Sequence, residues 1–392
     1  MIRVGKVLRR ALRGPRRAVG LRWYALRCFP EPLEAFLRLA EGAGASGAAY
    51  RGQSAALTAA LPDDRVALLH ILRGCTEASF ALPAALDLAG LERLAAARPW
   101  NRRYLAQIVA SLVNAHLTAR PASAHDPDFW RRLLPALRRV GRPFLLAGDS
   151  HSLLSRSVGG GRRAPTVPVH LLCSAGSAVG LANPASRSGY GQYLARTAAA
   201  LAAAGGRGLP AFFQFGQVDV EFVSTFRRIA RGEAAFDPAA FGTFCTEVVE
   251  RYGAFLGEHF GRFTAVHVVG IAPPALSDEA WAEGYCNAHV AQLEGDRDEA
   301  EIIRAVRSIA VPGLAARTAL HRAFNDRLRA LCRARGLRYV DGFDALLGPD
   351  GTLDRRFLGA AQGRDHHVDP DAAGPLARAA IAAALARAGR GG

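Results

Sequence analysis

The sequence predicts an α/β fold: a three-layer α/β/α sandwich on a five-stranded parallel sheet, preceded by a helical amino-terminal region. Three observations predict it. Five short apolar runs bounded by turn residues fall at 143–148, 167–173, 211–216, 265–271 and 337–342. Longer segments with apolar residues at three- and four-residue spacing lie between those runs. Before Arg142 only the helical spacing occurs. Strands alternating with helices give a parallel sheet covered on both faces. The ligand crevice of such a sheet lies beyond the carboxyl ends of its strands. The residues just after each run are therefore the ones to read for chemistry.

Taken in order, residues 1–29 form a basic arm, with nine basic residues between Arg3 and Arg27 and no acid before Glu31. Leu8, Leu12, Val19 and Leu21 fall on it irregularly, which suits a solvated, disordered arm. Weak contact with an anionic membrane surface is the alternative. Residues 30–141 read as a helical domain, with LEAFLRLAEGA, DRVALLHILRG, LAGLERLAAA, NRRYLAQIVASLVNAHL and DPDFWRRLLPALRRV as its helices. Asp63 and Asp126 stand where N-caps belong, and Gly74 and Gly141 where helices stop. Residues 142–392 form the α/β domain, with helices expected at 193–205, 241–260, 316–336 and near 371–388.

The 392 residues carry 50 Lys and Arg against 34 Asp and Glu, a formal charge of +16. Such a charge first suggests an anionic partner. Lys6 is the only lysine, however, and arginine is spread along the whole chain, so the charge marks no particular face. With no zinc-finger or RNA-recognition signature, no nucleic-acid partner is expected. No GxxxxGK[ST] cradle for a nucleotide occurs. Cys28, Cys75, Cys173, Cys245, Cys286 and Cys332 are scattered, which reads as reduced, buried thiols. Neither a cofactor nor a metal is expected. No run of about 18 apolar residues and no signal-peptide core is visible, so a cytoplasmic protein is expected. Oligomeric state leaves no trace in the sequence.

After the first run comes Gly148-Asp149-Ser150-His151. A serine at a strand-to-helix turn is held clear of the sheet, with the amides of the next turn aimed at it. That position suits a nucleophile whose intermediate is an oxyanion; a simple helix cap is the plainer reading. After the second run, the segment Ser174–Asn183 offers the Gly180 amide and the Asn183 side chain as donors, unless its glycines only punctuate a loop. After the third comes Gly216-Gln217-Val218-Asp219, where Gln217 could donate to a developing negative charge or the turn could merely cap a helix. Near the end, Asp365-His366-His367-Val368-Asp369-Pro370 precedes the last helix. An imidazole hydrogen-bonded to a carboxylate is the general base a serine needs. The histidine pair could also hold a metal, but a third and fourth ligand are lacking at suitable spacing.

In this order the stations resemble the SGNH (GDSL) hydrolase family over about residues 142–388. The resemblance rests on GDS at 148–150, the glycine-bearing loop ending near Gly180, GQVD at 216–219 and HHVDPDAAG at 366–374. VHVVGIAPP at 266–274 and FNDRLRALCRARGLRYVDGFDALLGPDG at 324–351 support it. It implies a flavodoxin-like fold, Ser150 as nucleophile, and the amides of Ser150 and Gly180 in the oxyanion hole. Alignment on Pro370 puts the base at His367, with His366 the alternative. Two positions depart from the family pattern. Val218 stands where the family has an asparagine, so Gln217 or Asn183 would have to supply that donor. Arg364 stands where the family has its acid, three before the histidine, which leaves Asp365 to orient His367. His151, Asp219, Glu221 and His366 remain as candidates to bind substrate.

The activity implied is a serine esterase that hydrolyses or transfers a short acyl ester of a small molecule or carbohydrate. O-acetyl on a carbohydrate is the favoured substrate, because no long apolar lid is evident. The alternative is a degenerate domain that binds a glycan or a protein partner without turnover, for which Val218 and Arg364 speak.

Overall fold

The computed structural model describes residues 120–160, 165–285 and 299–388, with isolated helical positions between 106 and 118. The arm expected over 1–29 and the helices expected between 33 and 97 lie outside the described residues. Two compact units divide the chain: one takes in 1–121, 132–142 and 161–167, the other 122–131, 143–160 and 168–392. In the first unit Gly141 sits where a Cβ would lie 2.4 Å from the Pro165 carbonyl oxygen, so only glycine fits. Everything that bears on the site lies in the second.

Helix α1 (Pro127–Val140) opens with a proline, and the Asp126 carboxylate before it accepts the Asp128 amide at 2.8 Å. That is the cap the sequence predicts. The strands are β1 (Arg142–Gly148), β2 (Gly159–Gly160), β3 (Pro165–Leu172), β4 (Ala211–Gln214), β5 (Val266–Val269) and β6 (Arg338–Val340). Their order in the sheet is β2–β3–β1–β4–β5–β6, with β1, β4, β5 and β6 paired in parallel. The sheet thus has six strands, not the five expected. The extra strand is a pair of glycines, which lack the β-branched or aromatic side chains by which a strand is recognised in sequence.

Around the sheet run α2 (Ala178–Leu181), α3 (Tyr190–Ala203), α4 (Ser224–Arg231), α5 (Pro238–Phe260), α6 (Asp278–Ala282), α7 (Glu299–Ser308), α8 (Leu314–Ala334) and α9 (Pro370–Ala388). Successive strand residues point to opposite faces. Phe144, Leu146, Phe212, Val269 and Val340 pack against Ile381, Ala384 and Leu385 of α9. Phe213, the neighbour of Phe212, turns the other way and meets Phe260 of α5 edge-on at 4.6 Å. Each such fully buried apolar side chain contributes about 1.5–3 kcal/mol. Helices therefore cover both faces, as the apolar runs require. Among the described residues no helix is long and apolar enough to cross a membrane.

With β2 set aside, the strand order is the doubly wound one whose crevice opens where the order reverses, between β1 and β4. Gly148 at the end of β1 is in register with Gln214 at the end of β4. Ser150 and Gln217 thus leave the sheet side by side at that crevice.

Candidate active site

The turn after β1 has no room for a side chain at Gly148. A Cβ there would lie 2.6 Å from Ser152 Cβ and 2.7 Å from the Gln214 carbonyl oxygen. The chain turns directly into a 3-10 helix, Ser150–Ser155, capped by Asp149. The Asp149 carboxylate accepts the His151 amide at 2.8 Å and His151 Nδ1 at 3.0 Å. Asp149 is therefore the cap, and Ser150 is the first residue of the turn, half-buried. Its amide meets no acceptor among the described residues, as expected of a first-turn N–H.

His367 reaches Ser150 from the loop before α9. Its Nε2 lies 2.7 Å from Ser150 Oγ and its Nδ1 2.8 Å from Asp365 Oδ1. The His367 amide donates to the same Asp365 oxygen at 3.1 Å. With Nδ1–H given to the carboxylate, Nε2 is left to accept the Ser150 hydroxyl proton. The loop is anchored by Asp369, which accepts the Asp371 and Ala372 amides at the start of α9, with Pro370 in its first turn. Arg364 takes no part: its guanidinium pairs with Glu283 at 3.2 Å. Hydrogen bonds from His366 and His367 hold the Asp365 carboxyl well below the usual carboxylate range.

The neighbouring histidines are turned inward. His366 Nδ1 lies 2.6 Å from the Tyr285 hydroxyl, and burial pushes the imidazole down to about 4 despite Asp365. His151 stacks obliquely under His367, ring centres 4.9 Å apart. Burial works to lower its pKa, but the Asp149 and Glu221 carboxylates outweigh burial and raise it.

The third station is braced rather than open. Gly216, at φ +117°, sits where a Cβ would come within 2.4 Å of Phe324, so this turn admits only glycine. A π turn, Asp219–Val223, follows. Asp219 accepts the Ala178 and Val179 amides at 2.6 and 3.0 Å, tying this station to the second. Gln217 donates to Glu221 at 2.6 Å and accepts the Ala272 amide at 2.9 Å. Burial pushes both the Asp219 and Glu221 carboxyls up to about 7. The Gly180 amide donates to Ser177 Oγ at 3.1 Å. Asn183 is exposed, with its side-chain oxygen on the Ala185 amide. Ser150, His367 and Asp365 are thus brought together, whereas Gln217, Asp219 and Glu221 form the wall behind them.

Several contributors escape sequence reasoning. His321 donates Nδ1–H to the Ala272 carbonyl at 2.9 Å, and burial pushes it down to about 3. Asn325, one turn on, clamps both the amide and the carbonyl of Ile271. Their one signal is a polar residue on the buried stripe of α8. A second serine–histidine contact, Ser152 Oγ to His170 Nε2 at 2.7 Å, lies fully buried beneath the first.

A metal would find its donors in His151, His366 and His367, whose candidate ligand atoms all lie within 4.8 Å of one another. His151 is the third imidazole that sequence spacing does not reveal. Ligands about 2.1 Å from a tetrahedral zinc stand roughly 3.4 Å apart, so this cluster would have to close around an ion.

No protein-family model matches the chain, and no curated protein matches it. A search of solved structures finds the crystal structure of an extracellular lipase from Streptomyces rimosus, at TM-score 0.32 and 13% identity. The match covers 62% of this chain and 100% of the lipase chain. At that TM-score the likeness assigns neither activity nor substrate. The functional reading therefore rests on the residues of the site.

Proposed function

We propose that the protein is a serine ester hydrolase of the SGNH type, with Ser150 as nucleophile, His367 as general base and Asp365 as the positioning carboxylate. The observation that carries this is the unbroken line from Ser150 Oγ to His367 Nε2 at 2.7 Å and from Nδ1 to Asp365 at 2.8 Å. As Oγ attacks the ester carbonyl, its proton passes to Nε2 and the carbonyl oxygen becomes an oxyanion. The Ser150 amide supplies a donor to that oxygen. The ester C–O bond then breaks, and His367 returns the proton to the departing alcohol. In the second half His367 takes a proton from water, whose oxygen attacks the acyl carbon; the bond to Ser150 Oγ then breaks, His367 returns the proton to Oγ, and the acid leaves. An acceptor hydroxyl in place of water makes the same site an acyltransferase. The short-acyl preference, with O-acetyl on a carbohydrate as substrate, belongs to this proposal.

A second reading has its own support. Val218 offers no side-chain donor, and the Gly180 amide is already given to Ser177, so the oxyanion would lean on few groups. Losing one such donor costs roughly 3–4 kcal/mol of transition-state stabilisation. A domain that binds an acylated glycan without cleaving it would show this arrangement. Hydrolysis of p-nitrophenyl acetate by the full chain and by Ser150→Ala separates the two. The esterase reading expects turnover that vanishes in the variant; equal rates leave the binding reading.

A further inference from the structure

We infer that the site takes an ester of an acidic carbohydrate, and that an arginine-lined pocket between the loops that flank the Ser150 turn holds the sugar's carboxylate. This rests on the esterase reading for the acyl group but not for the binding of the sugar. The pocket encloses about 290 Å³, and no Asp or Glu lines it. Its walls come from the loops after β3 and β4, through Gly180 and Val218 among others. Because β1 lies between β3 and β4 in the sheet, those two loops flank the turn that carries Ser150.

Arg187, Arg227 and Arg251 supply the charge, and Asn183, Ser186 and Ser188 the small polar groups. Behind the pocket Glu247 holds two of the guanidiniums, with Arg227 Nη1 at 3.3 Å and Arg251 Nη2 at 3.1 Å. Phe244 supports Arg227 from below at 4.9 Å. One carboxylate shared by two guanidiniums neutralises half their charge and fixes their direction. Each guanidinium carries five N–H donors, more than Glu247 uses, and a planar fork of this kind suits a second carboxylate. Hydroxyl and amide groups beside a carboxylate binder are what a polyhydroxylated acid requires. A neutral, long-chain acyl ester would gain nothing from these walls. A sulfated or phosphorylated sugar shares the anionic chemistry, and the probes below distinguish it from a carboxylate.

The test uses full-length Ser150→Ala, which binds without turnover, and titration calorimetry with two O-acetylated probes. These are β-mannuronate and β-mannan hexasaccharides, which differ at the C6 carboxylate. The mannuronate is expected to bind at least about tenfold more tightly at 50 mM salt, the equivalent of ~1.4 kcal/mol. The preference should shrink as salt is raised. The Arg227→Gln/Arg251→Gln double variant should bring the two probes to within about twofold. Arg187→Gln, on an exposed loop, should narrow the gap by itself. Equal binding, no binding of the mannuronate, a preference that survives in all the arginine variants, or tighter binding of a sulfated mannan hexasaccharide overturns the inference. Selective binding of mannuronate without acetate release by the wild type supports the pocket while sinking the esterase reading.

Discussion

The Ser150–His367 and Ser152–His170 contacts are both 2.7 Å long, and their serines stand two residues apart on one 3-10 turn. Their surroundings differ. Ser152 is fully buried, and its hydroxyl proton is committed to the Asp149 carbonyl at 2.6 Å. Burial, with the charge of Arg156, pushes His170 down to about 3. Ser150 is half-buried at the sheet's carboxyl edge, and its histidine is backed by Asp365. A short serine–histidine bond alone does not make a nucleophile. Access, a free proton on the hydroxyl and a carboxylate behind the imidazole do.

The largest expected effect breaks the symmetry between the two serines. Ser150→Ala should lower p-nitrophenyl acetate turnover by at least about 10³-fold while leaving the melting temperature near that of the wild type. Ser152→Ala should do the reverse, retaining most of the turnover and melting earlier. A fluorophosphonate should add its mass to Ser150 and not to Ser152 on peptide mapping. If Ser152→Ala loses as much activity as Ser150→Ala, the assignment of the nucleophile to Ser150 alone is wrong.

Much of this distinction follows from where residues stand along the chain. A serine after the first apolar run, and a histidine just before the last helix, must meet at one edge of a doubly wound sheet. The order of Gly148, Gly216 and Pro370 is therefore readable from the sequence. Ser152, His170, His321, Asn325 and Tyr285 are not readable in this way. Each is a single polar residue in an otherwise apolar or irregular stretch, with a partner set by packing rather than spacing. The roles of Asp219 and Glu221 were open to misreading for the same reason. A carboxylate just past a strand looks poised for substrate until its partners, here two backbone amides and Gln217, are known. The glycine pair of β2 carries no strand signal at all.

The next effect tests the carboxylate that backs only the exposed pair. Asp365→Asn keeps the side chain's shape but loses the negative charge, and its amide nitrogen can donate to Nδ1, which leaves His367 presenting a protonated Nε2 to Ser150. Turnover should fall by about 10²–10⁴-fold. Arg364→Ala removes only a surface pair with Glu283, whose side chains are 72% and 57% exposed. Such a pair contributes little, and turnover should stay within about twofold. An Arg364→Ala loss comparable to that of Asp365→Asn would mean that the loop's conformation, not the Asp365 carboxylate, orients His367.

The smallest effect lies in the buried pair and appears as a pH dependence of stability. His170 holds its folded value at about 3, well below its ordinary 6.5, because a charged imidazole is costly in that interior. The unfolded chain therefore binds a proton at this position between about pH 6.5 and 3, and the folded chain does not. The stability tied to neutral His170 is complete above pH 6.5 and drains away as pH falls through that window. At pH 7, His170→Gln should cost about 1–3 kcal/mol, since the buried Ser152 hydroxyl keeps the Asp149 carbonyl but loses the imidazole placed against it. By pH 5 the wild type has given up about 2 kcal/mol that the uncharged glutamine never had to lose. The gap between variant and wild type in urea unfolding should therefore shrink from pH 7 to pH 5, or change sign. A gap that stays constant would show that His170 titrates normally and that the two serine–histidine pairs are more alike than their burial indicates.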